Sequence, residues 1–265
     1  MKLSKSMRIW NVIYPVAIYF VVTAVTLFML DFILPADLNS KLLRQLITSF
    51  VSIPFLYSFY YPDQMMRGTV EGNLPFWKQC KMLCAGIRIK QVVWMFVIGG
   101  CFAVAWNNLL GMVKLAEHSA SYQQVEQTFY TGRLPLEILA LCIVIPFVEE
   151  LLYRGIVYGR IKDSFGVKAA VIGSAVIFGA VHMNLVQFVY AAVFGLLLAW
   201  FVERSGNIAG AVAAHMAANL TSVLRAETNV FAGMDNHMVI WIVVTVLMLF
   251  ITGIGVWKVN TINVK

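Results

Sequence analysis

Charge is what this chain has least of. Of its 265 residues only 12% are Asp, Glu, Lys or Arg, while 60% are hydrophobic and the mean hydropathy is +0.79. A soluble domain carries about a quarter charged residues, so a soluble fold is excluded and a polytopic membrane protein is implied. Cysteine is also scarce. Cys80 and Cys84 are separated by three residues, and Cys101 and Cys142 supply no matching second pair. That excludes a paired-cysteine zinc site and leaves free thiols. No internal repeat, low-complexity tract or linker divides residues 1–265, so they read as a single membrane domain. The C-terminal Thr261-Ile262-Asn263-Val264-Lys265 has no cysteine, hence no prenylation signal of its own.

Long apolar runs are abundant. The first, Trp10 to Leu34, follows Lys2, Lys5 and Arg8. It exceeds a signal-peptide core and lacks a small-residue cleavage site, so it reads as an uncleaved span. Further spans are expected at Leu46–Tyr61, Val92–Val113, Leu136–Tyr153, Val167–His182, Val186–Val202, Ile208–Leu224 and Val239–Trp257. The expected fold class is therefore all-α, a bundle of about eight transmembrane helices. With the N-terminus inside, fifteen Lys and Arg fall on one set of connections and five on the other. By the positive-inside rule both termini are cytoplasmic. The net charge of +7 is then a topology signal, and nucleic acid is not an expected partner.

Residues 1–133 hold the N-terminal helices and a cytoplasmic loop, 62–91, in which Phe76-Trp77-Lys78 and Lys81 interleave aromatic and basic residues. Such a segment either lies on the anionic inner leaflet or simply tethers two spans. In the outer connection, Tyr122, Val125 and Phe129 have helical spacing.

Against this apolar background stands Glu149-Glu150-Leu151-Leu152-Tyr153-Arg154. A carboxylate at bilayer depth costs roughly 2.5–3.5 kcal/mol on insertion scales, which makes it a functional candidate by default. Glu150 and Arg154 are four apart and can neutralise each other. Glu149 is about 100° away around the helix and is expected to have a different partner. Later spans add Phe178 and His182, then His215 and Asn219, each pair four apart. Singly, each has an ordinary explanation in helix packing. Together, Glu149, His182, His215 and Asn219 have no evident partners except one another. A carboxylate and an imidazole converging on water make a general base and its orienting group. A second imidazole with a side-chain amide can hold an oxyanion. Ser174 and Cys142 lie about two turns from His182 and Glu149, so activated water reads better than a side-chain nucleophile.

These motifs resemble the CPBP family, the CAAX-type intramembrane proteases and bacteriocin-processing or immunity proteins also called the Abi family. Residues 134–220 would be its catalytic core, with Pro146, Gly155 and the Gly195–Gly206 stretch also familial and Tyr153 where phenylalanine is common. The resemblance implies an intramembrane endopeptidase in which Glu149 and His182 activate water, and His215 and Asn219 hold the oxyanion. Glu150 and Arg154 would position Glu149, with Phe178 in support. In the eukaryotic branch the activity removes three residues after a prenylated cysteine. Family descriptions as metalloproteases leave zinc as a cofactor alternative, on Glu149, His182 and His215, to the preferred metal-free glutamate mechanism. The expected partners are the lipid bilayer and a peptide or membrane-protein substrate, in a bacterial plasma membrane. The competing readings are a non-catalytic partner such as an immunity protein, and a proton-coupled transporter.

Overall fold

A computed structural model describes residues 4–35, 38–72, 74–84, 86–112, 119–130, 133–235 and 237–262. Among them every regular element is a helix. The chain runs as α1 (Lys5–Asp31), α2 (Leu38–Met66), α3 (Phe76–Cys84), α4 (Ile89–Met112) and α5 (Ala120–Phe129). An irregular helix, α6, follows over residues 134–165, then α7 (Val167–Ala180), α8 (Leu185–Ser205), α9 (Ala209–Glu227) and α10 (Met238–Thr261). Five of these, α1, α2, α4, α8 and α10, are long and apolar enough to cross a bilayer. The protein is an integral membrane protein of the all-α class. α7 is apolar but only fourteen residues long.

Helix ends follow local chemistry. Ser4 caps α1 by accepting from Met7 N, and Asn184 caps α8 by accepting from Gln187 N at 2.8 Å. Gly166 joins α6 to α7 at φ 87° and Gly206 ends α8 at φ 76°, left-handed conformations that favour glycine. α2 is longer than the apolar run that announces it. It contains both Pro54 and Pro62, so the connection expected to open at residue 62 begins instead after Met66.

α6 holds the site. Its α-helical turns at Ile145–Glu150 are flanked by π-helical stretches, Ile138–Val144 and Leu151–Tyr158. Pro146 lacks a backbone N–H and sits where the first stretch gives way. π turns are rare and cluster at functional sites, where they rotate side chains out of α-helical register.

At one end of the bundle an ionic network ties the helices together. Asp63 of α2 pairs with Arg160 of α6 at 2.7 Å, and Arg160 also donates to the Asn11 carbonyl of α1. Arg67 pairs with Asp163, Arg8 donates to the Ser164 carbonyl, Lys162 pairs with Glu203, and Arg204 reaches the Asn260 carbonyl. Residues near both termini, Arg8 and Asn260, therefore lie at this same end. The core on this side packs α1, α2, α6 and α7 around Leu152, Ile156, Val157 and Phe178. A second core packs α4, α8 and α9 around Met95, Ile98, Phe194 and Leu198. Close approach there relies on small residues, since a Cβ on Gly99 would strike the backbone of Ala214.

Candidate active site

The three motifs lie on α6, the end of α7, and α9, and they meet around one imidazole. His215 is buried, and its Nδ1 lies 2.8 Å from Glu150 Oε1. Its Nε2 lies 3.6 Å from Glu149 Oε2. Glu149, expected to have a partner other than Arg154, faces His215, which Glu150 also contacts. The two glutamates leave α6 in different directions, yet one grips each ring nitrogen of the same histidine. The partner comes from another helix and sits between them, which a helical projection of α6 alone does not contain.

Glu150 is fully buried and accepts a second bond on the same oxygen, from Arg154 Nη1 at 3.2 Å. Arg154 is equally buried, donates to the Gly195 carbonyl at 3.4 Å, and places its guanidinium 4.3 Å from the Phe178 ring centroid. Gly195 permits this. A Cβ there would lie 3.1 Å from Arg154 Nη2 and 3.0 Å from Ala175 Cα. Because Glu150 is a carboxylate acceptor, it orients His215 with Nδ1 as the donor. The contacts of Glu150 and Arg154 thus run to His215 and Gly195; Glu149 is left with a side chain 21% exposed.

His182 lies just beyond α7, in the turn that leads to Asn184 and α8. Its Nδ1 donates to the Phe178 carbonyl at 2.8 Å, leaving Nε2 as the acceptor. Phe178 stands between the two histidines, its ring edge-on to His182 at 5.1 Å and to His215 at 5.7 Å. It also meets Tyr153 at 5.1 Å. Asn219, one turn beyond His215, donates one amide hydrogen to the Leu141 carbonyl, which lies in the first π stretch.

Glu149, Phe178, His182, His215 and Asn219 all line one cavity of about 450 Å³. Glu150 and Arg154 stand behind this wall, and neither Ser174 nor Cys142 is part of it. The opposite wall comes from residues that sequence reasoning missed: Tyr19 of α1, Gln45 and Ser49 of α2, and Asn107 of α4. Tyr122 of α5, Tyr130, and Gln187 and Tyr190 of α8 also line the cavity. The signal for the missed wall is weak, being polar residues in otherwise apolar helices.

The depth of the site can be read along α4. Phe102 stacks on Phe194 at 5.1 Å, and Phe194 meets His215 at 5.7 Å. Phe102 lies thirteen residues from the start of α4 and ten from its end. That is about 20 Å and 15 Å of helix, so the site lies level with the middle of α4.

Among the described residues no group of three or more His, Cys, Asp or Glu could hold a metal ion, and the trio Glu149, His182 and His215 does not form one. No step is therefore routed through zinc.

Comparison with known proteins finds likenesses over the residues of the site. Residues 131–221 match the model described as type II CAAX prenyl endopeptidase Rce1-like. YdiL of Bacillus subtilis (strain 168), whose name provisionally assigns it as a membrane peptidase, is 31% identical over 91 residues. That match covers 34% of this chain and 37% of YdiL. The UPF0177 protein YxdF of Lactococcus lactis subsp. lactis (strain IL1403) is 25% identical over 137 residues, 50% of this chain and 75% of YxdF. No solved structure matches. The stretch that carries both glutamates, both cavity histidines and Asn219 thus falls inside the Rce1-like match, in line with the resemblance of its motifs.

Proposed function

We propose that this protein is an intramembrane endopeptidase of the CAAX-protease type that hydrolyses peptide bonds with activated water. The observation that carries the reading is the convergence of Glu149, His182, His215 and Asn219 on one cavity level with the middle of α4. The Rce1-like match over the same residues supports it.

In this reading Glu149, the partly exposed carboxylate, takes a proton from a water held against the Nε2 acceptor of His182. The resulting hydroxide attacks the peptide carbonyl carbon. The C=O electron pair moves to oxygen, giving a tetrahedral oxyanion that faces the second amide hydrogen of Asn219 and Nε2 of His215. A donor role for that nitrogen requires the ring to carry both protons. Carboxylates stand at both ends of the ring, Glu150 at 2.8 Å and Glu149 at 3.6 Å, as counter-charges for that state. Collapse breaks the C–N bond, and the proton held by Glu149 passes to the leaving amine. Glu150 and Arg154 are positioning residues for His215. Two bacterial relatives support a home in a bacterial plasma membrane.

The test is cleavage of a quenched peptide library by purified protein, wild type against Glu149→Gln and His182→Ala, with and without chelator. Loss of cleavage in both variants at normal accumulation, with wild-type activity indifferent to chelator, is expected. Undiminished cleavage in either variant refutes the mechanism, and chelator-sensitive activity restored by zinc replaces it with a metallopeptidase.

A further inference from the structure

The cavity has a direction. From Glu149 and His182 it extends past Asn107 and Leu110, near the Met112 end of α4, to Tyr122 and Tyr130. It also reaches Gln45, seven residues from the start of α2. All of these lie toward the end of the bundle that holds α5. The ionic network of Asp63, Arg67, Arg160, Asp163, Lys162 and Glu203 lies at the other end with Arg8 and Asn260, and none of its residues lines the cavity.

That asymmetry can be combined with charge. The fifteen-to-five distribution of Lys and Arg includes Arg154, which is buried against Glu150 and so is no loop charge. Fourteen to five remains a strong bias and still puts the termini in the cytoplasm. The α5 end then faces outward. The lining chemistry adds a second constraint. Among the described residues that line the cavity there is no Lys or Arg, and Glu149 is the one carboxylate. Gln45, Ser49, Asn107 and Gln187 offer amides and a hydroxyl, and Tyr19 and Tyr190 offer aromatic faces. Such a wall hydrogen-bonds an extended peptide backbone but offers a free C-terminal carboxylate no Lys or Arg, and the His215 cation of the proposed mechanism already stands between Glu150 and Glu149, which repel a further anion.

We infer that the substrate is a neutral, extended stretch of exported polypeptide, approaching from the extracytoplasmic face and continuing on both sides of the scissile bond. This rests on the proteolytic reading above. It separates the protein from cleavage of a cytosolic C-terminal tripeptide, whose free carboxylate would have to lie in this wall.

The experiment compares right-side-out with inverted membrane vesicles from cells producing the protein, each supplied with a membrane-impermeant, quenched, neutral peptide library blocked at both ends. Vesicles carrying Glu149→Gln give the background. Orientation is scored by labelling Cys84, which is exposed on α3, with an impermeant maleimide. Cleavage confined to right-side-out vesicles, where Cys84 is protected, is expected, together with slower cleavage when the peptide ends in a free carboxylate three residues past the cut. Cleavage confined to inverted vesicles, or a preference for the free carboxylate, overturns the inference. So does cleavage in detergent but in neither kind of vesicle, which would route substrate through lipid past the exposed Met183 and Leu185. No cleavage even in detergent refutes the proteolytic reading itself.

Discussion

Glu149 and Glu150 are neighbours with opposite structural obligations, and Glu150→Gln separates them. Glu150 Oε1 accepts from Arg154 at 3.2 Å and from His215 at 2.8 Å, and neither Glu150 nor the Arg154 side chain has any exposure. Removing the negative charge leaves a guanidinium buried without a counter-ion. Breaking one side of a buried pair costs about 3–5 kcal/mol. The isosteric amide keeps an acceptor oxygen for both donors, so about 3 kcal/mol is the expected loss. For a chain of this size that lowers the melting temperature by roughly 10 °C. Glu149→Gln should cost under about 1 kcal/mol, since Glu149 is partly solvated and 3.6 Å from its histidine. Thermal unfolding can be followed in detergent with a fluorogenic thiol dye that reports exposure of buried Cys142, in a Cys84→Ser background. Adding Arg154→Met to Glu150→Gln should recover part of the loss, because no charge is then stranded. Equal melting temperatures for Glu149→Gln and Glu150→Gln would refute the reasoning. So would a double variant less stable than Glu150→Gln alone.

Two further substitutions test the scaffold. Gly195→Ala puts a methyl 3.0–3.1 Å from Ala175 Cα and Arg154 Nη2, so a loss of about 1–3 kcal/mol is expected in the same melting assay. A melting temperature equal to wild type would mean that α7 and α8 can separate at no cost. Asp63→Asn removes the carboxylate that holds Arg160, at the end of the bundle away from the cavity. It should lower the melting temperature by several degrees while cleavage per folded molecule stays unchanged. A selective fall in kcat would show that this network reaches the site.

How much of this was legible depends on what each residue faces. Apolar runs marked the eight places where α1, α2, α4, α6, α7, α8, α9 and α10 form, because exclusion from water acts on every residue of a run. The edges of α2 were not legible. Ser40, Thr48 and Ser52 interrupt the run, yet they are buried, and Ser52 satisfies itself by donating to the Thr48 carbonyl. The convergence of both glutamates on His215 was hidden for another reason. Helical spacing describes one helix, and the meeting point belongs to three. The π stretches of α6 carry no residue signature beyond Pro146, so the exposure of the Leu141 carbonyl to Asn219 could not be foreseen.

The missed wall of the cavity teaches most. Ser49 faces the cavity and Ser52 faces protein, on the same helix and with the same residue type. Nothing local distinguishes them, whereas a glutamate or histidine in an apolar span announces itself by its cost. The residues proposed for chemistry therefore lie within 131–221, the segment with a recognisable family signature. The facing wall comes largely from Tyr19, Gln45, Ser49 and Asn107, outside that segment. On the proteolytic reading, hydrolysis constrains the first set to few residue types at fixed distances. The second set has only to complement a peptide, and many combinations of amides, hydroxyls and aromatic rings do so. On that reading the match over 131–221 bears on the reaction, while the choice of substrate falls to α1, α2 and α4, whose residues can change without disturbing Glu149 or His215.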